Sequence, residues 1–228
     1  MSHTWNSAEK STLRILLIRH AESTANFSGI LSTTQPGPEL TARGREQAEA
    51  LVDALRDVHL DGLYASILRR TQLTAEPLSR ATGLPVTVIE GIHEIEAGDL
   101  EDRGDHEAMS AYALPMQVWA QGDFTASVPG GFSGDHFFER FDRGIAEIWR
   151  AHQGSPGEDD GDGDRPDGDT VAIVDHDAAI RVWVAGRADN LGPEFTSTHA
   201  LDNTGIVVLT GSPATGWHVT SWQNEPVA

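Results

Sequence analysis

The chain is 228 residues long, with 39% hydrophobic residues, six tryptophans and seven phenylalanines, enough for one compact core. No stretch approaches the roughly 18 consecutive apolar residues of a membrane span. Its formal net charge of -19 repels nucleic acid and anionic membranes in bulk, and the absence of cysteine excludes disulfides and thiol chemistry.

Taken in chain order, residues 1–12 lack a signal-peptide pattern and read as a loose leader, with the cytoplasm as the default location. Residues 13–18 are a short apolar run, read as a buried strand. It ends on Arg19 and His20, two polar side chains that a plain core strand does not need. Residues 41–58 predict a helix with Ala48, Leu51, Val52, Leu55 and Val58 on one face and Thr41 as N-cap. A strand at 62–65, a helix at 68–81 and a strand at 86–89 follow. Strand and helix patterns alternate, which predicts an α/β sheet with right-handed crossovers.

Residues 99–132 break this rhythm. Charges come first, then a helical pattern interrupted by Pro115, then "VPGG". The segment reads as an insertion or lid. Its Met109, Tyr112, Leu114, Met116, Trp119 and Phe124 suit either a leaving group or core packing. Residues 133–152 predict an amphipathic helix with Ser133 as N-cap and a stripe of Phe137, Phe138, Phe141, Ile145, Ile148 and Trp149. Residues 154–169 are acidic and of low complexity. They do not fit an EF-hand, because Arg165 and Val171 stand where that loop needs Gly and Glu, so a flexible solvated loop is expected. "TVAIVDH" then repeats the opening pattern, an apolar strand ending on His176. A helix at 178–188 and strands at 204–210 and 217–222 complete the chain, the last expected at a sheet edge.

Two histidines thus follow the ends of two apolar strands, where parallel α/β sheets bind ligands. If the strands are neighbours, His20 and His176 face one crevice beside Arg19. The 62–65 strand leads to Arg69 and Arg70, and the 86–89 strand to Glu94 and Glu96. Arginines bind phosphate oxygens bidentately. A neutral imidazole is a nucleophile towards phosphorus, and a carboxylic acid protonates the leaving oxygen. Metalloprotease, Walker, dinucleotide-binding and GxSxG patterns are absent. Each residue alone has a structural explanation; their joint placement after successive strands points to phosphoryl transfer.

These segments resemble the histidine phosphatase superfamily, which includes phosphoglycerate mutases. "LLIRHAESTAN", "LTARGREQA", "SILRRTQLTA", "HEIEAGDLED", "PGGFS", "IVDH" and "DNTGIVVL" are similar to the family's motifs, in the family's order. The resemblance selects Arg70 over Arg69 and Glu94 over Glu96. It implies His20 as the nucleophile, Arg19, Arg70 and His176 as phosphate-binding groups, and Glu94 as proton donor. Ser23, Asn26, Asp177 and Asn203 are implied on the substrate side. The implied fold is one domain over 1–228, a three-layer α/β/α sandwich with a mixed, mostly parallel central sheet and an inserted lid. No metal or cofactor is expected.

Three positions depart from the family pattern: Ala21 and Asp177 stand where glycine is common, and Phe132 where glutamate is. Asp177 either pushes His176 towards imidazolium or repels phosphate. The segment 99–132 carries one arginine, Arg103, among many acids, which suits a mutase grip on a phosphoglycerate poorly. The expected function is therefore a phosphomonoester hydrolase acting on a small phosphorylated metabolite. The alternatives are a phosphoglycerate mutase-type isomerase and a catalytically weak phosphate or phosphoprotein binder. Nucleic acid and membrane are not expected partners; a homodimer is compatible.

Overall fold

A computed structural model describes residues 12–153 and 168–227. The expected leader, up to residue 11, and the acidic segment over 154–167 lie outside the described residues. The elements are β1 (Leu13–Arg19), α1 (Thr24–Ser28), α2 (Ala42–Ala54), β2 (Gly62–Ser66), α3 (Arg69–Thr82), β3 (Val86–Ile89), α4 (His106–Trp119), α5 (Gly134–Ala151), β4 (Asp169–Asp175), α6 (Asp177–Arg187), α7 (Pro193–Thr198), β5 (Ile206–Ser212), β6 (Gly216–Trp222) and β7 (Glu225–Pro226).

The strands form one mixed sheet in the order β3-β2-β4-β1-β5-β6-β7. The first four are parallel to one another, and β5, β6 and β7 pair antiparallel. β1 lies inside the sheet, between β4 and β5, which is why its sequence is a continuous apolar run rather than an alternation. Its two faces feed two cores. Leu16 and Ile18 join Leu51 of α2, Leu55 at its C-terminal cap and Leu78 of α3. Leu13, Ile15 and Leu17 join Phe141 and Ile145 of α5 and Trp183 of α6. Each such side chain, fully buried, contributes roughly 1.5–3 kcal/mol. The layers are therefore helix, sheet, helix.

Helix starts follow the chemistry of the sequence. Thr41 caps α2 by accepting from Gly44 N at 3.0 Å, and Ser133 caps α5. α4 is capped by Asp105 and continues through Pro115, where an interruption was expected. Tyr112 and Trp119 are buried on either side of that proline. Trp119 also stacks on Phe137 and donates to Ala126 O, so tertiary contacts outweigh the one missing hydrogen bond. Met116 and Phe124 pack against the same core, while Met109 and Leu114 are exposed. The segment between β3 and α4 is also tied to the loop following α1: Leu31 exchanges backbone bonds with Asp102 and Arg103, and the Glu101 carboxylate accepts from Thr33 and Thr34. β6 was expected at an edge. It has an outer neighbour, though only the two-residue β7.

Candidate active site

β1 and β4 are parallel neighbours with Arg19 opposite Asp175, so both strand ends open on the same side of the sheet. His20 follows one and His176 the other. Their ring centroids are 5.2 Å apart, edge to face. The backbone locks this arrangement, because His20 N donates to Asp175 O at 2.9 Å.

The tautomers follow from the neighbours. His20 Nδ1 is 2.7 Å from Ala21 O; a carbonyl only accepts, so Nδ1 carries the proton. Nε2 then holds a lone pair, and Arg70 Nε donates to it at 2.9 Å. Arg70 Nη2 is 3.1 Å from His176 Nδ1, which therefore also accepts. His176 Nε2 is left to donate to Ser66 Oγ at 2.7 Å. Both imidazoles are neutral. Burial, then the Arg70 guanidinium, hold both pKa values well below the ordinary histidine range. Burial lowers the pKa of Arg70 itself, with the Glu94 carboxylate working against it.

Two guanidinium groups flank the pair. Arg19 donates through Nη1 to Leu201 O. Arg19 Nε and Arg70 Nη1 are buried N–H donors with no partner among the described residues. An unmatched buried donor costs about 1–3 kcal/mol, so both are primed for an anionic acceptor.

Glu94 lies in the loop after β3. Its Oε1 accepts from Ile95 N at 3.0 Å and from Ala179 N, in the first turn of α6, at 2.9 Å. Burial raises its pKa, with the Ile95 amide and Arg70 opposing. A proton on this carboxyl therefore belongs on Oε2, the oxygen with no amide. Glu96 is turned away from this role. It faces Arg140 and His93, and although burial opposes ionisation, those partners hold its pKa at about 2. Arg69 is half exposed and faces Glu39.

The remaining expected residues divide. Asn203 Nδ2 donates to His20 O at 2.9 Å and reaches Asn26 Oδ1 at 3.4 Å. Ser23 and Asn26 form the capping box of α1. Asp177 does not push His176 towards imidazolium. Its carboxylate pairs with Arg181 Nε at 3.1 Å and accepts from Leu201 N at 3.1 Å, and His176 stays neutral through burial. Ala21 packs with Leu40, Ala48 and Leu73, so its methyl sits in the core. Phe132 is exposed and stacks on His136.

Some residues at the site were not anticipated from the sequence. Ser66 orients His176. Asp175 is fully buried; its Oδ1 accepts from His176 N at 2.7 Å, and its Oδ2 has no partner among the described residues. Arg140 of α5 binds the loop that carries Glu94. No group of three or more potential metal ligands is present among the described residues. No helix among them is long and apolar enough to cross a membrane.

Known proteins share sequence and fold with this chain. The sequence is 32% identical over 217 residues to the Mycobacterium tuberculosis PE-PGRS family protein PE_PGRS11, covering 92% of this chain and 36% of that protein. It is 36% identical over 137 residues to the Escherichia coli adenosylcobalamin/alpha-ribazole phosphatase, covering 60% of this chain and 66% of that one. The chain thus spans about a third of the first relative and just under two thirds of the second. In fold it is similar to mycobacterial glucosyl-3-phosphoglycerate phosphatase, with a TM-score of 0.73 at 24% identity, over 93% of this chain and 99% of that one. The pattern of the histidine phosphatase superfamily (branch 1) matches residues 15–225, and the chain belongs to that superfamily.

Proposed function

We propose that the chain is a phosphomonoester hydrolase that acts through a phosphohistidine at His20 on a small phosphorylated metabolite. The observation that carries this reading is the state of His20: a buried neutral imidazole, its Nδ1 proton held by Ala21 O and its Nε2 lone pair facing an arginine. Family membership and the phosphatase named among the relatives support it.

A bound phosphoryl group takes over the donors of Arg19 and Arg70, because charged oxygens are stronger acceptors than an imidazole. That frees Nε2. In the first step Nε2 bonds to phosphorus, the ester P–O bond breaks, and the leaving oxygen takes the proton from Glu94 Oε2. Arg19 and Arg70 surround the transferring group and offset its charge, and His176 joins them by taking a proton on Nδ1, the nitrogen that Arg70 leaves when it turns to the phosphate. In the second step the Glu94 carboxylate takes a proton from water. The water oxygen bonds to phosphorus, the P–N bond breaks with its electron pair returning to Nε2, and inorganic phosphate leaves. The two guanidinium groups supply the positive charge, so the scheme contains no metal or cofactor.

Hydrolysis is favoured over a mutase by the state of Arg103. It is the one arginine of the segment 99–132, which has no lysine, and Asp105 binds it bidentately at 2.9 Å on both nitrogens. No free cation in that segment is left to grip a second anionic group. We read the segment as an insertion beside the site, within a single domain. Asn203, and through it Asn26 and Ser23, holds the substrate side of His20, and Asp177 contributes through the Leu201 strap to Arg19. We place the activity in the cytoplasm, where charge retains small phosphorylated metabolites. Every residue named comes from one chain, and neither nucleic acid nor membrane is required.

His20→Ala is the direct test. Hydrolysis of 4-nitrophenyl phosphate should fall by about 1000-fold or more, and acid-labile, base-stable phosphate labelling should vanish. Wild-type turnover in this variant overturns the assignment.

A further inference from the structure

Arg140 lies on α5 within the Phe137, Phe141 and Ile145 stripe, and is only 5% exposed. A guanidinium in apolar surroundings costs several kcal/mol unless its donors are matched. One short loop matches those of its two terminal nitrogens, while Nε has no partner among the described residues. Nη1 donates to Gly91 O at 2.5 Å and to His93 O at 2.8 Å. Nη2 donates to Glu94 O at 2.9 Å and to the Glu96 carboxylate at 3.1 Å. Glu96 also accepts from His93 Nε2 at 3.0 Å.

Residues 91–96 thus curl around a cation, with three backbone carbonyls and one carboxylate pointing inwards. The curl requires glycine at its start. Gly91 has φ +98°, and a Cβ there would lie 2.6 Å from Arg140 O. The outer side of the loop is held separately, by the Tyr112 hydroxyl donating to Ile95 O at 2.7 Å. Glu94 sits at the middle of this turn. Arg140 holds its main-chain carbonyl, and the amides of Ile95 and Ala179 hold its Oε1. The backbone position of the acid and the aim of its carboxyl are therefore set from two opposite sides, α5 and α6.

We propose that Arg140 is the positioning residue of the acid: its guanidinium is the template on which residues 91–96 fold, and it acts on the reaction only through Glu94. This rests on the reading of Glu94 as proton donor. It makes a specific demand. A nitrophenolate departs without a proton, whereas the more basic phenolate needs one. Loosening the acid should therefore be felt in proportion to the basicity of the leaving group. Loss of general structure would slow both esters alike.

The test compares kcat/KM for phenyl phosphate and 4-nitrophenyl phosphate in the full chain, with Arg140→Lys and Glu94→Gln side by side. Lysine keeps the charge but cannot span four acceptors. Arg140→Lys should lower the phenyl phosphate value about 10-fold more than the 4-nitrophenyl value, in the same direction as Glu94→Gln. If Glu94→Gln is selective and Arg140→Lys slows both esters equally or neither, the positioning role is overturned and the acid stands. If Glu94→Gln is not selective, the acid assignment fails and the inference falls with it. Should Arg140→Lys not fold, Glu96→Gln, which removes only the charge opposite Arg140, carries the same comparison.

Discussion

His20 and His176 show how much a residue's neighbours decide. Their positions after two strands are legible in the sequence. Their protonation is not, because it depends on Ala21 O, Ser66 and Arg70, which come from different parts of the chain. The same holds for Asp177. Its charge is plain in the sequence, but its partners, Arg181 and Leu201, are settled only by the packing of α6. Asp175 was not legible at all, since nothing in "IVDH" distinguishes a solvated aspartate from a buried one. Burial, then Glu94, push its pKa well above the usual carboxylate range. The unfolded chain ionises this group near pH 3.9, whereas the folded chain holds the proton to higher pH. Stability is thus lost as pH rises through that window. Asp175→Asn removes the penalty. It should match the wild type in thermal melts near pH 4 and exceed it by about 1–3 kcal/mol at pH 7. A difference independent of pH would refute this.

At the scale of elements, periodicity located the parallel strands and the helices α3, α5 and α6 within one or two residues, because burial on one face or both leaves a direct imprint on apolar spacing; α2 ends at Ala54, four residues before the expected end, and the short α1 and α7 were not anticipated. Periodicity missed what tertiary contacts impose. α4 runs through Pro115, and Arg140 interrupts an apolar stripe for a loop some 45 residues upstream. Gly44 in "LTARG" shows a middle case. The sequence marks it as a helix start, but the structure supplies the reason: a Cβ there would lie 2.0 Å from Glu22 O. α2 crosses directly against the chain that leaves His20, held by Thr41 N to Glu22 O at 3.0 Å and Glu22 N to Gln47 Oε1 at 2.9 Å. Gly44→Ala should therefore destabilise the fold by about 1–3 kcal/mol and lower turnover as His20 shifts. Denaturant melts with an unchanged midpoint would contradict this.

Over the whole molecule, a net charge of -19 opposes the approach of a phosphate dianion, while the half-buried Arg19 and the buried Arg70 attract it only at close range. Screening falls from about 30 Å at 0.01 M salt to about 10 Å at 0.1 M. Added KCl should therefore raise kcat/KM for 4-nitrophenyl phosphate by about twofold or more across that range; a fall would mean that the local positive field dominates the encounter. The linear chain by itself determined the fold class and the strand ends that carry Arg19, His20 and His176, because these follow from local apolar patterns, while the choice of Arg70 and Glu94 over Arg69 and Glu96 came from the family resemblance. Only the tertiary structure decided which nitrogen of each histidine holds the proton, that Asp177 turns to Arg181, that Ala21 lies in the core, and that Arg140 grips the acid loop. Those depend on long-range contacts and on burial, and neither burial nor a partner's identity is written in the spacing of residues along a chain.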